Sequence, residues 1–312
     1  MKKTIIILIV LFGLTVNPAY SYWLWTPKSG KWVNPKNEPK PDPKGQFEHA
    51  KGFYSGKKYD QARKEFKKLL KSYPKSLEAS EAQYYLGLID EEQNRIYEAY
   101  LAYQKVIDTY PFSERIGEII QREFKIAESF ISGQKRKVLG IIPVENPAIE
   151  ILGKIVENST YGPFAPHAQY KLGLVLKGYL RYYEAEEAFG KVIKNYPGSE
   201  WAGAAEFQLA SVQAALSRGS DYDQGAAEAA KDKFEAFVKE HPEAILSEEA
   251  KKNISQLKEK EAESNFNIAR FYEKQKQDQS ARLYYMGIIN NQRESTWAVK
   301  SFERLRIMEK KK

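Results

Sequence analysis

Three histidines (His49, His167 and His241) and no cysteine occur in the 312 residues, and these two residue types decide most of the chemistry open to the chain. Without a thiol there can be no thiolate nucleophile, disulfide, Cys-ligated zinc or iron–sulfur cluster. The histidines lie far apart in sequence, with no second ligand at the local spacing of known metal sites. There is no HExxH, no glycine-rich phosphate loop and no spacing that suggests a Ser/His/Asp set. Adjacent carboxylates at Glu91 and Glu92, Glu186 and Glu187, and Glu248 and Glu249 would point about 100° apart on a helix. That makes a solvated face rather than the opposed pair of a glycosidase. The expectation is a protein without catalysis, cofactor or metal. The side chains that do recur in a pattern are aromatic: Phe47, Tyr84, Phe124, Tyr170, Phe207 and Phe266, a set suited to recognising a peptide or a partner helix.

These aromatics need elements to place them. From Gln46 onward glycine and proline are sparse and apolar residues recur at three and four positions, the period of a helix. A longer period lies over it. A small residue is followed twelve positions later by alanine in Ala50 and Ala62, Gly87 and Ala99, Gly173 and Ala185, and Ala269 and Ala281. Ala127 with Ala148 and Ala210 with Ala230 follow once loops nine and eight residues longer are allowed. Four and seven residues beyond each alanine comes a large apolar pair: Phe66 and Leu69, Tyr103 and Val106, Leu152 and Ile155, Phe189 and Val192, Phe234 and Phe237, Tyr285 and Ile288. Tyr73-Pro74, Tyr110-Pro111, Tyr196-Pro197 and His241-Pro242 end four of the six second helices, because proline lacks an N–H and its ring clashes with the preceding turn. Ser76, Ser113 and Ser199 stand where a side chain would cap the next helix. The pattern predicts an all-α stack of six helix hairpins whose small residues let paired helices approach closely. Residues 295–308 restart it as a terminal capping helix.

On such a stack the first-helix aromatics have two readings: they face a groove where an extended peptide would lie, or they wedge between neighbouring repeats as core. Lys51, Tyr54, Leu88, Glu91, Leu174 and Lys177, one helical turn onward, belong to the groove itself. With Phe47, Tyr84, Phe124, His167 and Tyr170 they make the candidate binding set, and the first two or three repeats are expected to hold a hydrophobic-aromatic peptide. His167 is the histidine placed towards the groove, His241 replaces a helix-ending tyrosine, and His49 stands where the other repeats carry Leu or Ile. The insertions at 133–146 and 218–225 are docking candidates or fold back on the array; the first is basic, with an Ile141-Ile142-Pro143-Val144 tip.

The small-residue, alanine, aromatic, proline pattern resembles the tetratricopeptide repeat over residues 46–308. That likeness implies a right-handed superhelix. The 37-residue spacing of Pro74 to Pro111, the segments ending in Gly87 and Gly173, and Glu263-Ser-Asn-Phe-Asn-Ile-Ala-Arg-Phe-Tyr272 after a long charged helix at about 247–262 are similar to the BamD (YfiO) outer-membrane assembly family and its relative CpoB. The first likeness implies a periplasmic scaffold for β-barrel insertion whose partners are envelope proteins: a β-barrel assembly protein or nascent outer-membrane proteins. The second implies a coordinator of peptidoglycan synthesis or cell division. A third class is an accessory that recruits substrate to a separate hydrolase. A lipoprotein of this kind needs a cysteine after its apolar leader, and this sequence has none.

The remaining readings concern the N-terminus. Lys2 and Lys3, an apolar run over 5–16 and Ala19-Tyr20-Ser21 read as a signal peptide over 1–21, since a bilayer span needs roughly twenty apolar residues. Residues 22–44 carry five prolines and Trp23, Trp25 and Trp32; they read as an extended tether ahead of a repeat domain over 45–310. The tryptophans pack on the first helices, dock a partner or meet the membrane interface. Removing Lys2 and Lys3 lowers the formal charge from +8 to +6. With basic and acidic residues interspersed, nucleic acid is not an expected partner. An exported, periplasmic protein, peripheral to the outer membrane through its partners, is the expected setting.

Overall fold

The computed structural model describes residues 23–26, 30–34, 38–133, 146–217 and 224–310. The leader and most of both insertion loops, including the basic segment and its apolar tip, lie outside the described residues. The chain divides into two compact units, Met1–Leu86 and Gly87–Lys312.

In the first unit, strands β1 (Leu24–Thr26) and β2 (Lys31–Val33) pair antiparallel, with Leu24 opposite Val33, Trp25 opposite Trp32 and Thr26 opposite Lys31. The segment read from its prolines as an extended tether thus holds a short sheet. The prolines fall beside the strands instead: Pro27 follows β1, Pro35 lies beyond β2, and Pro43 opens the first helix, where its missing N–H costs nothing. Gly30, at φ +62°, precedes β2. Helices α1 (Pro43–Ser55) and α2 (Tyr59–Ser72) form a hairpin, and α3 (Leu77–Glu92) begins in this unit. Asp42 caps α1, accepting a hydrogen bond from the Gly45 N–H at 2.8 Å.

The second unit holds the remainder of α3 and ten further helices among the described residues. Paired with α3 is α4 (Ile96–Thr109). Then come α5 (Ile116–Ile131) with α6 (Pro147–Asn158), α7 (Ala165–Gly178) with α8 (Tyr182–Asn195), and α9 (Trp201–Leu216) with α10 (Gln224–Glu240). The last pair is α11 (Ile245–Lys274) with α12 (Asp278–Asn291), closed by α13 (Thr296–Lys310). The charged segment at 247–262 and the first helix of the last repeat are one continuous helix of 30 residues. The described residues thus hold six tetratricopeptide-like helix hairpins and a capping helix, as the period predicts.

The packing follows the period residue by residue. Each small residue and alanine of the repeat is buried, and the large apolar side chains beyond each alanine are at most 3% exposed. At the hairpin turns the same device recurs in four repeats. Lys57, Asn94, Leu180 and Lys276, each seven residues past the small residue, adopt φ of 56°, 54°, 60° and 58°. The N–H that follows each one reaches back to a carbonyl five residues before it: Lys58 to Phe53, Arg95 to Asp90, Arg181 to Leu176 and Gln277 to Tyr272, at 2.8–3.0 Å. This is a left-handed helix stop made without glycine.

The expected serine caps are only partly made. Ser113 Oγ accepts from the Arg115 N–H at 3.3 Å, whereas the hydroxyls of Ser76 and Ser199 make no hydrogen bond. The backbone takes over their task. In Tyr-Pro-x-Ser the serine N–H bonds the tyrosine carbonyl, and the serine carbonyl receives the first helical N–H, from Ala79 and Ala202 at 3.1 Å. The tyrosine hydroxyls act as latches: Tyr73 donates to the Lys40 carbonyl at 2.5 Å and Tyr196 to the Thr160 carbonyl at 2.9 Å. Each ties the end of a second helix to the loop before its own first helix.

Candidate functional site

The recurrent first-helix aromatics are core. Phe47 and Tyr84 in the first unit, and Phe124 and Tyr170 in the second, are 8%, 2%, 5% and 9% exposed. They therefore leave the groove set. In the second unit the reason is an aromatic at the start of the next first helix that stacks on the preceding repeat. Phe164 lies 5.5 Å from Phe124, Trp201 lies 5.2 Å from Tyr170, and Trp297 lies 5.0 Å from Phe266. His167 joins this packing. Its ring stacks on Trp201 at 3.9 Å and 7°, and it sits 4.7 Å from Phe124. Burial, with Lys171 beside it, holds the imidazole below its usual range.

The residues one turn onward remain accessible. In the first unit Lys51 lies over the Phe47 ring at 5.9 Å, and Tyr54 packs edge-on to Tyr85 at 5.1 Å, both half-buried. In the second unit Leu88 is half-buried and Glu91 accepts from Arg122 at 2.7 Å. Arg122 also contacts Glu118 at 3.0 Å. On α7, Lys171 pairs with Glu128 at 3.2 Å and Leu174 is exposed. Lys177 donates to Gln208 at 2.8 Å and Ser211 at 2.7 Å. Burial lowers the Lys177 ammonium below its ordinary value, opposed by Glu249. Consecutive first helices thus meet the solvent through a row of ion pairs and hydrogen bonds, with Leu88 half-buried and Leu174 exposed among them.

A further accessible apolar set lies on the expected terminal capping helix. Helix α13 turns Ala298, Ser301 and Met308 inward but leaves Val299 and Phe302 63% and 62% exposed, one turn apart. Leu283 and Met286 on α12 are exposed with the same spacing. The cap is fixed by Glu273 of α11, which accepts from Tyr285 at 3.0 Å and is ion-paired with Arg304. Burial works to raise the Glu273 carboxyl, and the bonds from Arg304 and Tyr285 outweigh it, leaving the group below the usual carboxylate range.

Two further features escaped the sequence pattern. Four residues before every small residue stands an amide or acid: Gln46, Gln83, Glu123, Gln169, Glu206 and Asn265. Gln46 donates to the Glu65 carbonyl at 3.0 Å and Gln169 to the Ala188 carbonyl at 3.1 Å, both nineteen residues on, clamping first helix to second. Glu123 is fully buried and receives Gln104 at 2.9 and 3.0 Å; burial pushes its carboxyl up to about 8. In the fifth repeat Glu206 takes the clamp position and meets His241 Nε2 at 3.2 Å. With Glu240 these residues bring three ligand-capable atoms within 4.8 Å of one another. His241 also packs 5.0 Å from Phe237, as expected of a helix-end residue.

Comparison with known proteins agrees with this architecture. Residues 148–311, just over half of the chain, match the YfiO family, described as outer membrane lipoprotein, and residues 47–114 match a tetratricopeptide repeat family. No curated protein matches the chain. Similar solved structures include the C-terminal part of a TPR repeat-containing protein from Cytophaga hutchinsonii, at 19% identity over 84% of this chain and 88% of that one, TM-score 0.36. YrrB, described as a TPR protein with an unusual peptide-binding site, is 18% identical over 70% of this chain and 94% of that one, TM-score 0.35. A tetratricopeptide repeat protein from Parabacteroides merdae is 15% identical over 78% and 91%, TM-score 0.33. Among the described residues no helix is long and apolar enough to cross a membrane. The two family matches support a protein-binding tetratricopeptide scaffold.

Proposed function

The chain belongs to the YfiO outer membrane lipoprotein family, and from that membership we propose that it is a non-enzymatic scaffold of the bacterial cell envelope acting in the assembly of β-barrel proteins into the outer membrane. The observation that carries this reading is the YfiO match across residues 148–311. That stretch holds Leu174, exposed among the first-helix ion pairs, and Val299 and Phe302, exposed on the last helix. Its partners are other envelope proteins, a β-barrel assembly protein or nascent barrels, engaged through Leu174 and Lys177 with Leu88 and Glu91, and in the first unit through Lys51 and Tyr54. The protein is exported under the leader at 1–21 and works on the periplasmic side, peripheral to the outer membrane.

Depletion in the native host tests the role. Outer-membrane barrel proteins should fall while inner-membrane proteins and cell shape hold at first. Altered septation or cell shape with normal barrel levels would overturn the proposal in favour of a CpoB-like coordinator, and loss of a single hydrolase's turnover would assign an accessory role instead.

A further inference from the structure

Side chains alternate across a β-strand. Trp25 stands directly opposite Trp32, so the two leave the ribbon on one face. Two of the chain's five tryptophans are thus cross-strand partners on one face of a two-stranded hairpin, and a third, Trp23, immediately precedes its first strand. Trp23, Trp25 and Trp32 are 57%, 52% and 65% exposed, with Leu24 at 52%. Indoles normally bury most of their large surface in a core or against a partner, whereas more than half of each of these is open to solvent.

Charge identifies what covers them. No aspartate or glutamate occurs before Glu38, while Lys28 and Lys31 fall between Trp25 and Trp32 in the sequence and Lys36 comes four positions after Trp32; beyond Glu38 acids and bases are mixed throughout. Indole rings settle at headgroup depth, and lysines beside them are drawn to anionic headgroups. A protein pocket or a neutral glycan face would not require an acid-free segment. The 312 residues also hold no cysteine to carry a lipid.

We infer that the tryptophan face of the β1–β2 hairpin seats reversibly on an anionic lipid surface. The contact is direct and independent of the protein-binding reading above. The test uses the full chain exported from its host, so that whatever N-terminus the cell leaves is shared by every variant. It is mixed with vesicles of phosphatidylcholine alone, or with about one-third phosphatidylglycerol to supply the negative surface, both containing a nitroxide-labelled lipid. Tryptophan fluorescence of the wild type should be quenched on the anionic vesicles. Trp23→Ala with Trp32→Ala should lose most of that quenching. Because removing Trp32 could open the hairpin, Lys31→Glu with Lys36→Glu, which leaves every tryptophan in place, should weaken anionic binding on the order of tenfold or more. Equal quenching of wild type and tryptophan variant, or equal binding to both vesicle types, would overturn the inference. So would capture on purified peptidoglycan without lipid quenching, which would assign the face to a glycan.

Discussion

Gly173 faces the ring of Phe189 so closely that a β-carbon on it would lie 2.5 Å from the ring edge. Phe189 is fully buried and cannot retreat. The same relationship joins Gly87 to the buried Tyr103. Glycine is needed here for closeness of approach, since neither residue has positive φ. Gly173→Ala should therefore destabilise the fold by about 1–3 kcal/mol through overpacking, read as a lowered midpoint in urea unfolding. An unchanged midpoint would mean that the two helices are less tightly joined than described.

The buried aromatics and the accessible face separate by mutation. Tyr84→Ala should cost roughly 3–5 kcal/mol of stability, as for other large-to-small core changes, because the ring is 2% exposed. Leu174→Ala should stay within about 0.5 kcal/mol of wild type yet weaken partner capture. Chemical denaturation of both variants checks the pair.

Leu180 holds φ +60° with its side chain 69% exposed, so it bears the left-handed penalty without packing in return. Leu180→Gly should stabilise the protein by about 0.5–1 kcal/mol, seen as a rise in thermal midpoint. A fall would show that the exposed side chain holds the turn in some other way.

Glu123 gives a pH signature. Burial raises its carboxyl to about 8 in the folded state against an ordinary 4.5, so the folded protein binds the extra proton between those two values. The group's contribution is complete below about pH 4.5 and is lost as pH rises through 8. Glu123→Gln keeps the partner geometry and removes the titration. Its stability relative to wild type should rise by roughly 1–3 kcal/mol between pH 5 and pH 8, measured by denaturant titration at both values. A constant difference would contradict the assignment.

The sequence disclosed whatever repeats in apolar or small residues. The Gly173 and Ala185 spacing placed both helices of that hairpin, and Phe189 followed as core. It concealed what depends on a partner distant in the chain. Nothing local marks His167 for stacking on Trp201, thirty-four residues later, so its polar ring read as a groove contact. The buried clamps at Gln46 and Gln169 occupy helical positions where a polar residue ordinarily means solvent. Lys57 and Lys276 carry no glycine-like signal of left-handed backbone. The Trp25–Trp32 pairing was hidden because proline was counted over the whole segment, although Pro27 and Pro35 lie just outside the strands.

The central claim is that the accessible first-helix face binds envelope proteins of barrel assembly. Its most direct test places a photo-crosslinking amino acid at Leu174 in the native host, with the buried Tyr84 as control position. The account predicts that Leu174 captures a β-barrel assembly protein or nascent barrels and that Tyr84 captures nothing. Recovery of peptidoglycan synthases or division proteins at Leu174, or no capture there at all, would contradict it.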